Sequence, residues 1–308
     1  MEHRDPACDP DRGPRRADRS GPHRYSTPRR VACATKRGGG SATLGVRSQE
    51  RLGGGSAPGG LVGDRHNARP GGGSGLGIFR ADHLRLVLEA TVRGGGDTDT
   101  VAAIAGAMLG AAYGASAVPS HWRLLLHGWP GLTTRGLIQL ATKIVNKGLP
   151  EDFDFSYGAW RGVRNPVRHP HDEKVWIGGA ASLHKLPSGV DAIVSLCRVV
   201  DGHLPAGVKH LDVRLIDKEG DNANLDFVLL DTVRAIERLR AEGCTLFLHC
   251  VDANSRTPTV AALYGARKEH IDVDDALREV LAVLPTSNPN ADLRAALRRL
   301  HPKARVAS

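Results

Sequence analysis

The sequence predicts a C-terminal α/β domain built on a central, mainly parallel β-sheet. Beyond Glu173, apolar runs of strand length alternate with segments of helical periodicity, as in sheets whose strands are joined by crossover helices. The run from Thr245 to Leu248 suits a strand that is buried on both faces, as parallel strands are. The predicted strands are 175–178, 192–196, 210–216 and 245–249, and the predicted helices are 224–241, 257–268, 273–284 and 291–300.

Residues 1–76 are predicted to be a disordered tail. Gly, Arg, Pro and Ser dominate this segment, and GGGS recurs at Gly38, Gly53 and Gly71. No apolar period persists, so the segment could bury too little surface to offset its chain entropy. A second interpretation is that a truncated or misread gene supplied it. The first residues also lack the apolar core of a signal peptide.

Residues 77–149 are predicted to form a partial all-helical segment. The stretch from Ala81 to Val92 is amphipathic at helical spacing, and Thr98 to Ala115 predicts a small-residue helix that packs closely against its neighbours. Two further helices are predicted, from Trp122 to Leu126 and from Gly136 to Val145.

Residues 150–172 mix Pro, Gly, Arg and acidic side chains, which is typical of a linker. His169 and His171 could bind a metal ion, but a charged linker is the favoured interpretation.

Charge and cysteine content narrow the class of protein. Of the net charge of +9, residues 1–80 carry +8, because they hold 15 Lys and Arg against 7 Asp and Glu. A basic tail without interleaved aromatic residues disfavours nucleic acid as a partner. Five Cys at unpaired spacings indicate a reduced, cytoplasmic protein. The weakly polar run from Val101 to Val118 predicts a packed helix rather than a membrane span.

The most informative motif runs from Leu246 to Thr257. A predicted strand ends at His249 and Cys250, Arg256 follows six positions after the cysteine, and a predicted helix begins beside it. A loop between a strand and a helix N-terminus directs backbone N–H groups inward, where they hold an anion and favour a thiolate. A thiolate beneath a bound phosphoryl group is placed for covalent phosphoryl transfer.

The motif His249-Cys250-x5-Arg256-Thr257 resembles the signature loop of the cysteine-dependent tyrosine and dual-specificity phosphatases. The segments VWIGGA from Val175 and VDAIVSLC from Val190 resemble the first two strands of the dual-specificity group. The resemblance implies an α/β cysteine-phosphatase domain over residues 173–301 that needs no cofactor. Its substrate would be a phosphorylated protein or a small phosphomonoester.

The resemblance also implies roles for the residues of the loop. Cys250 would be the nucleophile, and Arg256 would bind the phosphoryl oxygens and stabilise the transition state. Thr257 would donate its hydroxyl to the leaving thiolate, and also suits the N-terminus of a helix. His249 would orient the loop and favour the thiolate, although a purely structural histidine describes it equally well. The backbone that would bind the phosphate comprises Val251, Asp252, Ala253, Asn254 and Ser255.

A general acid must protonate the leaving oxygen, and the family places an Asp after the preceding strand. Asp217 follows the run Leu211 to Ile216 and is the first candidate, and Asp221 is the second.

Two loop residues depart from the family pattern. Ala253 stands where the family often has Gly, and a left-handed backbone there would be strained. Asp252 places a carboxylate beside the predicted anion site, although myotubularin-like lipid phosphatases carry Asp at the matching position. These residues leave open a second interpretation, a pseudophosphatase that binds phosphoproteins without hydrolysing them.

A second motif, GGGDTDT from Gly94, places Asp97, Asp99 and Thr100 at the start of a predicted helix. Oxygen ligands at this spacing suit Mg²⁺, but acidic residues at a helix start also stabilise the helix by themselves. Residues 94–122 resemble the C-terminal part of the ADP-ribosylglycohydrolase family, in which these positions bind two metal ions. The family's other ligands lie in an upstream motif that this chain lacks. A Mg²⁺-dependent ADP-ribosyl hydrolase is therefore a third, disfavoured interpretation.

Overall fold

The computed structural model describes residues 79–148, 165–199 and 201–302. The tail predicted for residues 1–76 lies outside this range, as does most of the predicted linker. No helix within the described ranges is long and apolar enough to cross a membrane.

The first part of the described chain is helical, as predicted. Its elements are α1 Asp82–Arg93, α2 Thr98–Tyr113, α3 Ser120–Leu125, the short antiparallel strands β1 His127–Gly128 and β2 Leu132–Thr133, and α4 Thr134–Val145.

Helix α2 is the small-residue helix that was expected to pack closely against its neighbours. Helix α2 contains no buried residue, and its side chains Ile104 and Met108 are largely exposed. It packs against α1, where a Cβ added at Gly106 would be in ordinary contact with Leu88 at 3.6 Å. Helix α2 therefore packs closely against α1 but lies at the surface of the described unit.

The second part forms a five-stranded sheet with helices. Its elements are β3 Val167–His169, β4 Asp172–Gly179, β5 Ala192–Ser195, β6 Lys209–Asp212, α5 Leu225–Ala241, β7 Leu246–Cys250, α6 Arg256–Glu269, α7 Val273–Val283 and α8 Ala291–Leu300. The strand order is β3-β4-β7-β5-β6.

The sheet is mainly parallel, as predicted. Strands β4, β7, β5 and β6 are parallel, and only the edge strand β3 is antiparallel to its neighbour. Strand β7 is buried along its whole length, which agrees with its apolar sequence. Because the carboxyl ends of parallel strands meet at one edge, the segments that follow β5, β6 and β7 converge there.

Two boundaries differ from the prediction. Strand β3 and the start of β4 lie within the predicted linker 150–172, and His169 is a buried residue of β3. Among the described residues no group of three potential ligands could hold a metal ion, so His169 and His171 form no such site. Strand β6 ends at Asp212 rather than residue 216, because Arg214 adopts a left-handed backbone with φ of 57°.

The helical part and the sheet share one hydrophobic core. Ala81, Leu84 and Ala117 belong to the same buried cluster as Leu225 and Val228 of α5. The ring of Phe79 meets that of Phe227 edge-on at 6.0 Å between centroids. Helix α3 also lies against the edge strand β6, whose outer backbone groups would otherwise be exposed to solvent or to another chain.

Candidate active site

The loop from Val251 to Ser255 joins the end of β7 to the start of α6, as the motif predicts. Parallel pairing with β4 and β5 fixes the end of β7, because the carbonyl of His249 accepts from Leu196 N at 2.8 Å. Cys250, the last residue of the strand, is 1% exposed and is not part of a disulfide. The candidate nucleophile therefore lies at the base of the loop.

The start of α6 carries no side-chain cap. Ser255 occupies the N-cap position without capping the helix, and its hydroxyl instead accepts from Asn290 N at 3.1 Å. Uncapped N–H groups at a helix start, together with the helix dipole, attract an anion.

The Arg256 guanidinium is held by backbone carbonyls of the segments that follow β5 and β6. Its Nη1 donates to Leu215 O at 2.8 Å and approaches Leu196 O at 3.4 Å. Its Nε is buried, donates no hydrogen bond within the described chain, and lies 3.5 Å from Asp217 Oδ2. The guanidinium is thus anchored on one side and retains a buried donor on the other.

Asp217 lies beside Arg256 at this site. Besides the ion pair with Arg256, its Oδ1 accepts from Asn290 Nδ2 at 3.2 Å. Asp221, the second candidate acid, instead pairs with Lys218 at 3.0 Å on the exposed surface. The geometry therefore favours Asp217 as the acid.

His249 is completely buried, which suits the structural interpretation left open by the sequence. Burial lowers the pKa of His249 to about 3, so the ring is neutral near pH 7 and provides no positive charge for a thiolate. Its Nε2 lies 2.7 Å from Ser195 Oγ, which in turn lies 2.9 Å from His210 Nε2. His249 therefore supports the loop through hydrogen bonds.

Thr257 is also buried, and its hydroxyl donates to Gly178 O at 3.4 Å. The hydroxyl thus makes a long bond to the neighbouring strand β4, and its donation to the leaving thiolate stays a prediction.

The structure describes the conformation and burial of the two unusual loop residues, Ala253 and Asp252. Ala253 is fully buried and adopts φ of 54°, the left-handed conformation that Gly adopts without strain. Asp252 Oδ1 is buried and has no hydrogen-bond partner within the described chain. The loop therefore contains a strained alanine and an uncompensated carboxylate oxygen.

Several residues around the loop were not predicted. Ser287 Oγ donates to Ala253 O at 2.6 Å, and Asn288 N donates to Asn254 O at 2.7 Å. Cys197 lies below the loop, where burial and then the neighbouring Cys250 raise the pKa of its thiol. Only Asn290 had a sequence signal, because it directly precedes the predicted helix 291–300 and so suits an N-cap.

The predicted upstream metal residues do not form an enclosed site. Asp97, Asp99 and Thr100 are all exposed at the start of α2. The carboxyl groups of Asp97 and Asp99 form a hydrogen bond, which holds the pKa of Asp99 below its usual range. Three exposed oxygen-bearing side chains offer only part of the near-octahedral set that Mg²⁺ needs.

Comparisons with known proteins agree with both resemblances. Residues 59–152 match the family model described as ADP-ribosylglycohydrolase, and this match begins within the predicted tail. The chain is 31% identical over 112 residues to the human protein phosphatase Slingshot homolog 3, covering 36% of this chain and 17% of that protein. It is 30% identical over 79 residues to dual specificity protein phosphatase 1 of Arabidopsis thaliana, covering 26% and 39%.

The chain thus spans well under half the length of these curated relatives. Among solved structures, human DUSP28 aligns with 21% identity and a TM-score of 0.40, covering 44% of this chain and 92% of that one. The C-terminal part of this chain is similar to the dual-specificity protein phosphatases, and the segment before it is similar to the ADP-ribosylglycohydrolases.

Proposed function

We propose that this chain hydrolyses phosphomonoesters of phosphorylated proteins through a cysteinyl-phosphate intermediate on Cys250. The observation that carries the proposal is the position of Arg256. Its Nη1 is held by two carbonyls at the start of the helix that follows the cysteine loop, and its buried Nε lies 3.5 Å from Asp217 Oδ2 without a hydrogen-bond partner within the described chain. A buried, fixed guanidinium donor beside an uncapped helix N-terminus suits a phosphoryl group.

The reaction follows from these positions. The Cys250 thiolate attacks phosphorus, the ester P–O bond breaks, and the leaving oxygen takes a proton from Asp217. Water then attacks the cysteinyl phosphate and gives its proton to Asp217, and the P–S bond breaks to restore the thiolate. Arg256 binds the phosphoryl oxygens in both steps, which requires its 3.5 Å ion pair with Asp217 to loosen.

The similarity to protein phosphatases supports phosphoproteins as substrates. The sparse, unpaired cysteines support the cytoplasm as the location. Neither a metal ion nor the upstream residues Asp97, Asp99 and Thr100 take part in the proposed reaction.

Turnover of p-nitrophenyl phosphate by the intact chain, with and without EDTA, tests the proposal. We expect EDTA-insensitive turnover that Cys250→Ser lowers at least ~10³-fold, because the serine hydroxyl is a poor nucleophile without an adjacent base. Binding of inorganic phosphate should persist in Cys250→Ser, since the loop and Arg256 remain. Substantial turnover by this variant would exclude the covalent route.

One observation favours a second function, that of a phosphoprotein-binding pseudophosphatase. Asp252 Oδ1 is buried without a hydrogen-bond partner within the described chain, and a carboxylate in this loop opposes formation of the Cys250 thiolate on which turnover depends. Phosphate binding without turnover, together with turnover in Asp252→Gly, would identify this function.

A further inference from the structure

We propose that Asn290 is a positioning residue that holds the Asp217 carboxyl group in one orientation toward the phosphoryl site. This inference rests on the proposed function, in which Asp217 is the acid. Asp217 itself follows an irregular segment, and its side chain remains 31% exposed. A long-range contact is therefore needed to fix the orientation of the carboxyl group.

Three of the hydrogen bonds of Asn290 join three parts of the chain. Its backbone N–H donates to Ser255 Oγ at 3.1 Å, its Oδ1 accepts from Leu293 N at 3.0 Å, and its Nδ2 donates to Asp217 Oδ1 at 3.2 Å. It thus connects the cysteine loop, the start of α8 and the candidate acid.

The capping bond decides the orientation of the amide. Because Oδ1 caps α8, the other end of the amide, Nδ2, must face Asp217. A reversed amide would direct two N–H groups at the Leu293 N–H and an oxygen at the carboxylate. The donor toward Asp217 is therefore fixed by the fold of α8.

Asn290 belongs to a segment, residues 287–292, that lies directly against the cysteine loop. Ser287 and Asn288 bond to the carbonyls of Ala253 and Asn254. The segment around Asp217 is attached to the same place, because Ala291 N donates to Glu219 Oε1 at 3.0 Å and Gly220 N to Asp292 Oδ2 at 2.5 Å. The segment that carries the candidate acid and the loop that carries the nucleophile are therefore both bonded to residues 287–292.

The contact also distinguishes the two carboxyl oxygens of Asp217. Oδ1 receives the amide N–H of Asn290, so a proton there would compete with that donor. Oδ2 is the oxygen that lies 3.5 Å from Arg256 Nε, beside the site where the phosphoryl group binds. Asn290 thereby leaves Oδ2 as the oxygen that can carry the transferable proton once the ion pair with Arg256 has loosened.

Asn290→Ser tests this role without removing the cap, because Ser is an equally good N-cap residue but lacks the amide donor. We expect its kcat/KM for phenyl phosphate, which has a poor leaving group, to fall about tenfold or more. Its kcat/KM for p-nitrophenyl phosphate should change less than about twofold, since that leaving group needs little protonation. In an Asp217→Asn background, Asn290→Ser should cause no further loss.

A matched control addresses helix stability. Asp272 caps α7 by accepting from Asp274 N at 2.8 Å, so Asp272→Ala removes a cap from a different helix. It should lower the Tm without changing the ratio of the two kcat/KM values. Asn290→Ala should lower the Tm and change the ratio.

The outcomes separate this inference from the function beneath it. An equal loss on both substrates in Asn290→Ser, or a full further loss in the Asp217→Asn background, would overturn the role of Asn290 alone. Turnover that survives Cys250→Ser would overturn the proposed function, and with it this inference.

Discussion

The backbone N–H of Ser120 donates a hydrogen bond to Asp231 Oδ2 at 2.7 Å, joining the helical part of the chain to the middle of α5. Asp231 is 8% exposed, and Arg123 Nη2 lies 4.0 Å from the same oxygen. Arg123 in turn donates to Asp212 O at 2.9 Å, at the end of β6. A buried carboxylate in α5 therefore fixes the start of α3 and, through Arg123, the strand that leads to Asp217.

Replacing this carboxylate should destabilise the whole described unit. Asp231→Ala leaves the Ser120 N–H without its acceptor and the buried Arg123 guanidinium without the negative charge 4.0 Å away, and breaking such a buried pair costs about 3–5 kcal/mol. Chemical denaturation should show this loss as a single transition. Asp275→Ala, which breaks the exposed pair with Arg278, is the control and should have little effect. A separate early transition for the helical part would contradict the shared core.

The candidate acid should be revealed by its dependence on the leaving group. Asp217→Asn cannot deliver a proton, so hydrolysis of phenyl phosphate should fall by about 10²-fold or more and that of p-nitrophenyl phosphate far less. Asp221→Asn should show no such selectivity, because Asp221 pairs with Lys218 on the surface. The reverse result would move the acid to Asp221.

The backbone at Ala253 should tolerate Gly but not Val. Gly relieves the left-handed strain of about 1–2 kcal/mol but adds about 0.4–1 kcal/mol of unfolded-state entropy, so Ala253→Gly should raise the free energy of unfolding by no more than about 1.6 kcal/mol. A β-branched side chain at φ of 54° in a fully buried position should cost more than about 2 kcal/mol and abolish turnover. Denaturation midpoints and p-nitrophenyl phosphate assays measure both effects. Equal tolerance of Gly and Val would show that the loop does not need this backbone conformation.

Acid should destabilise the protein through its buried histidines. Burial lowers the pKa of His169 to about 4 and that of His249 to about 3, from an ordinary value of 6.5. The unfolded chain therefore binds protons below pH 6.5 that the folded chain does not. The free energy of unfolding should be highest above pH 6.5. Below pH 6.5 it should fall by up to about 1.4 kcal/mol per pH unit for each histidine, until the pH reaches the pKa of that histidine in the folded chain.

Urea denaturation between pH 7.5 and pH 5 measures this slope. His169→Gln should make it shallower, since Gln can still donate to the Ala261 carbonyl that His169 Nε2 contacts at 2.9 Å. An unchanged slope in this variant would mean that His169 is not the titrating group.

The sequence contained most of the fold, because each element carries a local pattern. Helices α1 to α4 and strand β7 lie within a few residues of their predicted positions, since amphipathic spacing and apolar runs are local features. The short strand β3 carries little apolar signal, and its pairing with β4 shows it to be a strand. The left-handed backbone at Arg214 likewise shortens β6 without a Gly to indicate it.

The candidate site likewise combines residues that a local pattern predicts with residues that only the fold brings together. Cys250, Arg256 and the loop between them form one contiguous motif, so their proximity could be predicted. The bond from Asn290 to Asp217 spans 73 positions, and that from Ser195 to His249 spans 54. Contacts of this range depend on strand order and on the docking of α8, which no local pattern specifies. The neutral state of His249 depends on burial in the same core.

During synthesis, the helical part of the chain is made well before the α5 surface that covers it in the folded protein. Ser120 precedes Asp231 by 111 positions, so α3 leaves the ribosome before its acceptor on α5 has been made. At roughly 5–20 residues per second, this interval lasts from about 6 to 22 s. During that time Ala81, Leu84 and Ala117, which are buried in the finished protein, have no surface to cover them. The nascent chain therefore passes through a stage at which chaperones or its own early collapse must shield the helical part.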